Sequence, residues 1–238
     1  ILRCLVGSEM CIRDRGEGIV MASDSRTTFS TTIHKQDGTI VQNNGVHYSD
    51  SSYKTFLTPK GVGISTCGQA SINNKPIAGY IESFINEHKD ESVDEIKDKI
   101  IPYFKALCQT IDTDFIIGGY INTGKTYEQK LYRIFTAIDK IESINTDIQG
   151  AIWDGEIDVL SRVLTTMYTQ SGNALTDYPI PFNHFTIQDA IDFAKYAIQT
   201  TIDTMKFQQR TKTVGGPVDI LIIKPDNAFW IDRKELHK

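Results

Sequence analysis

Three groupings in the sequence have residue types and spacings that could carry chemistry. The first is Gly119-Tyr-Ile-Asn-Thr-Gly124-Lys125-Thr126, which fits the pattern G-x-x-x-x-G-K-[ST]. In a phosphate-cradling loop the backbone N–H groups hold phosphates, and a strand must precede the loop and a helix follow it. Leu131, Ile134, Phe135 and Ile138 could mark the face of such a helix, but Tyr132 and Ile134 alternate equally well as a strand. The most apolar strand downstream, Val218–Ile223, runs into Lys224-Pro225 rather than into an Asp that could hold Mg²⁺. A hairpin turn is therefore preferred to a nucleotide site.

The second grouping is Ser23-Asp24-Ser25-Arg26-Thr27-Thr28, which follows the apolar run Gly18–Ala22. This pattern predicts a buried strand that delivers polar groups at its end. Taken alone, Asp24 and the later Lys54 read as turn and surface residues. The third grouping is the set of thiols and imidazoles. Cys4, Cys11, Cys67 and Cys108 contain no CxxC, and His34, His47, His88, His184 and His237 are scattered without metal-ligand spacing. Cys67 and Cys108 lie in apolar segments and read as buried reduced thiols. No metal site is expected.

The elements that must position these groups come from an ordinary globular composition. The chain has 238 residues, 40% hydrophobic and 23% charged, enough to bury a core. Its 25 Lys and Arg against 30 Asp and Glu give a net charge of −5, which argues against nucleic acid or an anionic membrane as partner. No apolar run approaches the roughly 18 to 20 residues of a spanning helix, and a soluble, cytoplasmic protein is expected.

From Gly16 onward no composition break suggests a second domain, so residues 16–238 are read as one. Phe29–Ser52 is polar, with turn signals at Asp37-Gly38 and Asn43-Asn44-Gly45, and Val62–Cys67 reads as a strand. One helix is marked by Ile77, Ile81 and Phe84. A second opens with the capping box Ser92-Val-Asp-Glu95 and continues through Ile96, Ile100, Phe104, Leu107 and Ile111, with Pro102 expected to kink or divide it. Phe115–Ile121 should pair with Leu131–Thr136 across a turn at Asn122–Gly124. Gly150–Trp153 is a further strand, followed by a helix with Leu160, Val163, Leu164 and Met167 on one face. Thr186-Ile-Gln-Asp189 caps a long helix through Ile191, Ala194, Ile198 and Met205, and Val218–Ile223 and Ala228–Ile231 close the chain as strands. Strands and helices segregated in this order suggest packed layers, two sheets between helix pairs, rather than a doubly wound sheet.

Gly18-Ile-Val-Met-Ala-Ser-Asp24-Ser25-Arg26-Thr27 resembles the first strands of proteasome β-type subunits and their bacterial relatives, the HslV peptidase and the Anbu group. Tyr53-Lys54-Thr-Phe-Leu-Thr with Val62–Gly68 resembles the family's lysine strand and the strand after it. Phe115–Tyr120 with Leu131-Tyr-Arg is similar to the central hairpin, and Thr213-Val-Gly215-Gly216-Pro through Ile223 to the closing strand. The match runs from Gly16 to Ile231.

The resemblance implies an α+β protein, a four-layer αββα sandwich of two antiparallel sheets between helix pairs, the N-terminal nucleophile (Ntn) hydrolase fold. It implies a threonine-type endopeptidase that needs no cofactor and acts on peptides or unfolded proteins. The chain would then be a homo-oligomer, a ring or helical stack, with an ATPase as a further partner. The nucleophile would be an N-terminal hydroxyl whose own α-amine, titrating near pH 7.7 to 8, serves as base. Asp24 and Lys54 match the family's supporting pair, and the Gly68 N–H its oxyanion donor. A non-catalytic subunit of the same fold and a P-loop nucleotide binder are the alternatives.

Several positions depart from that pattern. Counting back sixteen residues from Asp24 places the nucleophile at Ser8, after Gly7. Yet Cys4–Arg15 resembles the translated read-through of a sequencing adapter, so residues 1–15 are set aside as a non-native segment. The expectation is that the true nucleophile is missing from the sequence as it stands. Removing that segment leaves 22 basic and 28 acidic residues, a charge of −6, and two cysteines. Trp153-Asp154-Gly155 stands where the family often has Gly-Ser-Gly, which makes Asp154 a candidate compensating carboxylate. Thr211 and Val214 replace the family's supporting Asp and Ser.

Overall fold

The computed structural model describes residues 3–6, 9–14, 18–34, 37–164 and 178–235, with the side chains of 3–6, 9–14, 30–34, 42–44 and 46 left aside. The elements in chain order are β1 (Arg3–Val6), β2 (Glu9–Asp14), β3 (Gly18–Ser23), β4 (Thr27–His34), β5 (Ile40–Ser49), β6 (Thr55–Leu57), β7 (Gly63–Gly68), β8 (Ser71–Ile72) and β9 (Lys75–Pro76). There follow α1 (Ile77–Glu87), α2 (Val93–Leu107), β10 (Thr113–Asn122), β11 (Tyr127–Phe135), β12 (Lys140–Ser143), β13 (Gly150–Asp154), α3 (Asp158–Leu164), α4 (Ile187–Phe207), β14 (Asp219–Ile223) and β15 (Ala228–Asp232).

Two five-stranded sheets dominate, ordered β12-β11-β10-β7-β6 and β13-β2-β3-β14-β15, and their neighbouring strands pair antiparallel. Residues 9–14, from the segment set aside above, form the strand between β13 and β3. A three-stranded sheet β1-β4-β5 stands beside them. With four α-helices among the described residues, this is a mixed α/β fold built on antiparallel sheets.

The alternation of side chains along β3 and β14 explains why both read as continuous apolar runs. Val20, Ala22, Ile220 and Ile222 join Leu160 of α3 and Ala190, Ala194, Ile198 and Met205 of α4 in one core cluster. The intervening Ile19, Met21, Leu221 and Ile223 point the other way, onto Ile116 and Leu131 of the second sheet. That sheet turns Ile64, Phe115, Ile117 and Ile134 toward Ile81 and Phe84 of α1 and Ile96, Ile100 and Phe104 of α2. Gly63 lets the two sheets approach: a Cβ there would lie 2.4 Å from Met21 Sδ and 2.6 Å from Ile223 Cδ1.

Both capping boxes form, Ser92 with Glu95 and Thr186 with Asp189, each contributing on the order of 1 kcal/mol. Pro102 does not divide α2, which runs unbroken from Val93 to Leu107. It sits on the exposed face with Asp98, whose carbonyl loses its helical partner where water can reach it. Ile111 is buried but lies beyond the helix end. Asn43-Asn44-Gly45 is not a turn. It falls within β5 at a bulge, where one residue of β4 faces three of β5 between the pairs Phe29↔His47 and Thr31↔Asn43. Val163 is exposed rather than on the core face of α3, Cys108 is only half-buried, and Met167 lies outside the described residues.

Gly119–Thr126 is the end of β10 and a tight turn into β11, pairing Asn122 with Tyr127. The turn closes by Thr123 N–H to Thr126 O at 2.9 Å and Gly124 N–H to Asn122 Oδ1 at 2.8 Å. A strand follows Thr126 where phosphate binding needs a helix N-terminus. The hairpin preferred from the sequence is the one that forms, and the P-loop alternative is set aside.

Candidate functional site

The apolar run of β3 stops at Ser23 and hands the chain to Asp24, which is 0% exposed. Such burial demands partners for the carboxylate, and three are present. Asp24 Oδ1 accepts from Lys54 Nζ at 2.7 Å, and Oδ2 accepts from the backbone N–H of Arg26 at 3.0 Å and of Gly215 at 2.9 Å. Lys54, 3% exposed, lies just before β6, and its carbonyl accepts from Thr66 N–H of β7 at 2.9 Å. A buried hydroxyl ladder fastens this rib to both sheets: Thr55 Oγ1 donates to Ser23 Oγ at 2.8 Å and lies 2.6 Å from Ser65 Oγ.

The residues after Asp24 lock the same corner. Ser25 N–H donates to Gly215 O at 2.9 Å and Ser25 Oγ to Pro217 O at 2.6 Å. Arg26 grips Asp50 through two bonds of 2.6 and 2.7 Å, with Tyr48 4.1 Å away across its guanidinium. Gly215 is needed for this approach, because a Cβ there would stand 2.4 Å from Arg26 Cζ. A cavity of about 400 Å³ opens against Lys54, lined also by Tyr53, Thr66, Cys67, Phe29 and Ile77. Gly68 ends β7 with φ +100°, its Cα region pressed on the backbone of Asp112 and Thr113.

The register pairs Glu9, the first residue of β2, with Ser23, so β2 begins alongside the turn that carries Asp24. Ser8 itself lies outside the described residues. Thus Asp24 and Lys54 meet as the sequence suggests. Asp154 meets neither: its Oδ2 accepts from Arg133 at 2.8 and 2.7 Å and its Oδ1 from Gly155 N–H at 2.8 Å. Its Cα pairs with Glu9 on the flank of β2 opposite Ser23. Val214 is buried in the cluster beside α4, and Thr211 packs toward Gly45.

Sequence reasoning missed several members: Gly215 as a ligand of Asp24, the Arg26–Asp50 clamp, and Asp114. The Gly215-Gly216 pair ahead of an apolar strand was the available signal for the first. Asp114 faces Cys67 across β10 and β7, and its carboxyl, that of Asp154 and Cys67 Sγ lie within 4.8 Å of one another. These are the described residues whose donor atoms converge as a metal's ligands would. Arg133 already neutralises Asp154, however. Burial, then the charges of Asp154 and Asp112, push the Asp114 carboxyl up to about 6 against the pull of Arg133.

A raised carboxyl favours folding most at low pH and loses that contribution as pH rises through about 6. Asp114→Asn should therefore stabilise the protein at pH 8 and leave it unchanged at pH 4. Because Asp114 is only half-buried, the gain is set at about 1 kcal/mol rather than the roughly 3 kcal/mol of the unscreened shift. Thermal unfolding at the two pH values checks this: a Tm rise of about 2–4 °C at pH 8 alone is expected. An equal rise at both would assign the effect to packing.

No protein-family model matches the sequence, and no curated protein matches it. Among solved structures, Anbu from Hyphomicrobium sp. strain MC1 is similar with a TM-score of 0.54 at 15% identity, over 96% of this chain and 88% of that one. The Gly-1 mutant of the same Anbu gives 0.54 at 16%, over 94% and 86%. At that identity the likeness establishes the fold, which is Anbu-like along nearly the whole chain. No helix of the described residues is long and apolar enough to cross a membrane.

Proposed function

We propose that this chain is a subunit of a proteasome-like N-terminal nucleophile hydrolase of the threonine-peptidase type, with the αββα layering that the three core clusters support. The observation that carries the reading is the buried Asp24–Lys54 pair, at 2.7 Å, between the cavity and the start of β2. The resemblance puts the hydroxyl and α-amine on the residue before Glu9, whose own strand position pairs with Ser23 beside Asp24. The amine takes the hydroxyl proton, the oxygen attacks the peptide carbonyl, and the Lys54 ammonium lowers the energy of the developing alkoxide. Collapse of the tetrahedral intermediate expels the leaving amine, which takes the proton, and water then hydrolyses the ester. Asp24 holds Lys54 in place, and the Gly68 N–H serves the oxyanion. Asp154 and Asp114 border the same strand end, and the assembly is a homo-oligomer.

Val214, buried at the family's serine position, favours a second reading: a subunit of this fold that builds the assembly without cutting. Fluorogenic peptides separate the two. They are offered to the full chain and to forms in which residue 8, as Ser and as Thr, carries a free amine. Hydrolysis by the Thr form supports the peptidase, and none from any form supports the assembly subunit.

A further inference from the structure

A second buried Lys–Asp pair stands beside the first. Asp219 opens β14 directly opposite Ser23, one residue from Asp24, and is 0% exposed. Both its oxygens are taken by Lys234: Oδ1 accepts the backbone N–H at 2.8 Å and Oδ2 accepts the ammonium. The Lys234 side chain is buried, with 4% exposure, and its ammonium lies 4.5 Å from the centre of the Tyr53 ring. Arg233 lies 5.1 Å from that ring and 4.7 Å from Trp230 of β15. Tyr53 directly precedes Lys54. The segment that follows β15 thus sends two cations onto the residue that presents Lys54. Burial pulls the Lys234 ammonium below the usual lysine range while Asp219 resists, and the charges of Lys54 and Asp24 reach it as well.

Burying a second ion pair has a large desolvation cost, and apolar residues of equal volume would commonly pack there at less. What apolar packing would lack is a directed anchor, since the buried Lys234 ammonium and backbone N–H must both stay within reach of the Asp219 carboxylate. We propose that Lys234 is a positioning residue: anchored on Asp219 and set against Tyr53, it keeps Lys54 Nζ seated on Asp24. Its importance for hydrolysis, though not the contact itself, rests on the function proposed above.

The test is acetylation of the full chain by an N-hydroxysuccinimide ester, with each lysine's rate read by peptide mass mapping. Lys54 should react slowly in the parent. In Lys234→Met its rate should rise at least about tenfold, the signature of local opening, while Lys97 and Lys105 keep theirs. Lys234→Arg should restore protection, because a guanidinium can pair with Asp219 and stack on Tyr53. Tyr53→Leu, which leaves the Asp219 pair intact, should also expose Lys54 and decides the matter if Lys234→Met does not fold. Lys54 protected in both variants, or all lysines rising together, overturns the proposal. Where hydrolysis is measurable, Lys234→Met should lower kcat with KM held. Lys54 exposed on mutation in a chain that never hydrolyses would sink the peptidase reading and leave this one standing.

Discussion

Lys54→Met is expected to remove peptide hydrolysis, by at least about 10²-fold in kcat/KM, and to cost about 3 kcal/mol of stability. The two losses have different origins. Stability falls because Asp24 stays buried with an uncompensated charge, although it keeps the N–H groups of Arg26 and Gly215, which hold the loss near the low end for a broken buried pair. On the function proposed above, hydrolysis falls because the ammonium that would meet the alkoxide is gone. The double variant Lys54→Met with Asp24→Asn separates them. Neutralising the orphaned carboxylate should return much of the stability, so the two substitutions cost less together than their sum, yet hydrolysis should stay lost. Denaturant unfolding and fluorogenic peptides, applied to a form whose residue 8 bears a free amine, make both measurements. Parental hydrolysis by the double variant would contradict the assigned role of Lys54.

Gly68→Ala should be the most damaging single methyl at the site. At φ +100° an L side chain is already strained, and the added Cβ would lie 2.6 Å from the Asp112 carbonyl oxygen and 3.0 Å from Thr113 Cα. Both obstacles are backbone and cannot swing aside. Gly124→Ala supplies the control, with φ +83° and nothing within 4 Å of its Cβ. Strain alone should cost Gly124→Ala about 1 kcal/mol, whereas Gly68→Ala should cost at least about 2 kcal/mol more. The displacement would pass along β7 to Thr66, whose N–H holds the Lys54 carbonyl, so hydrolysis should fall by roughly 10²-fold as the site loosens. Equal unfolding costs for the two alanine variants would mean that β7 and β10 can part without penalty.

The parts legible in the sequence were those written in local periodicity. Ile96, Ile100 and Phe104 recur at helical spacing and are buried against the sheet, and Ser92 and Thr186 marked helix starts by side-chain chemistry confined to four residues. The run Gly18–Ala22 announced a strand covered on both faces. β12 escaped because Lys-Ile-Glu-Ser is a polar edge strand whose one apolar side chain, Ile141, is exposed. Asn43-Asn44-Gly45 misled because the same left-handed preference that makes a turn also makes a bulge. Asp24 and Lys54 were found through ordered motifs, since a lone acid after a strand says nothing about what it will touch. Gly215, Asp114 and the Asp219–Lys234 pair stayed hidden for that reason: their roles exist only through neighbours distant in the chain.

The Asp24 carboxylate takes one of its bonds from a residue 191 positions later. At ribosomal rates of about 5–20 residues per second, roughly 10 to 40 seconds separate the emergence of the two. Through that interval the growing polypeptide carries the acid without its cradle, and Tyr53 without the cations that come to rest on it. The corner around Lys54 is finished only when the closing strands dock. A nascent or C-terminally clipped chain thus lacks part of the cradle of Asp24, and the corner is complete only once residues near the end of the chain have been made.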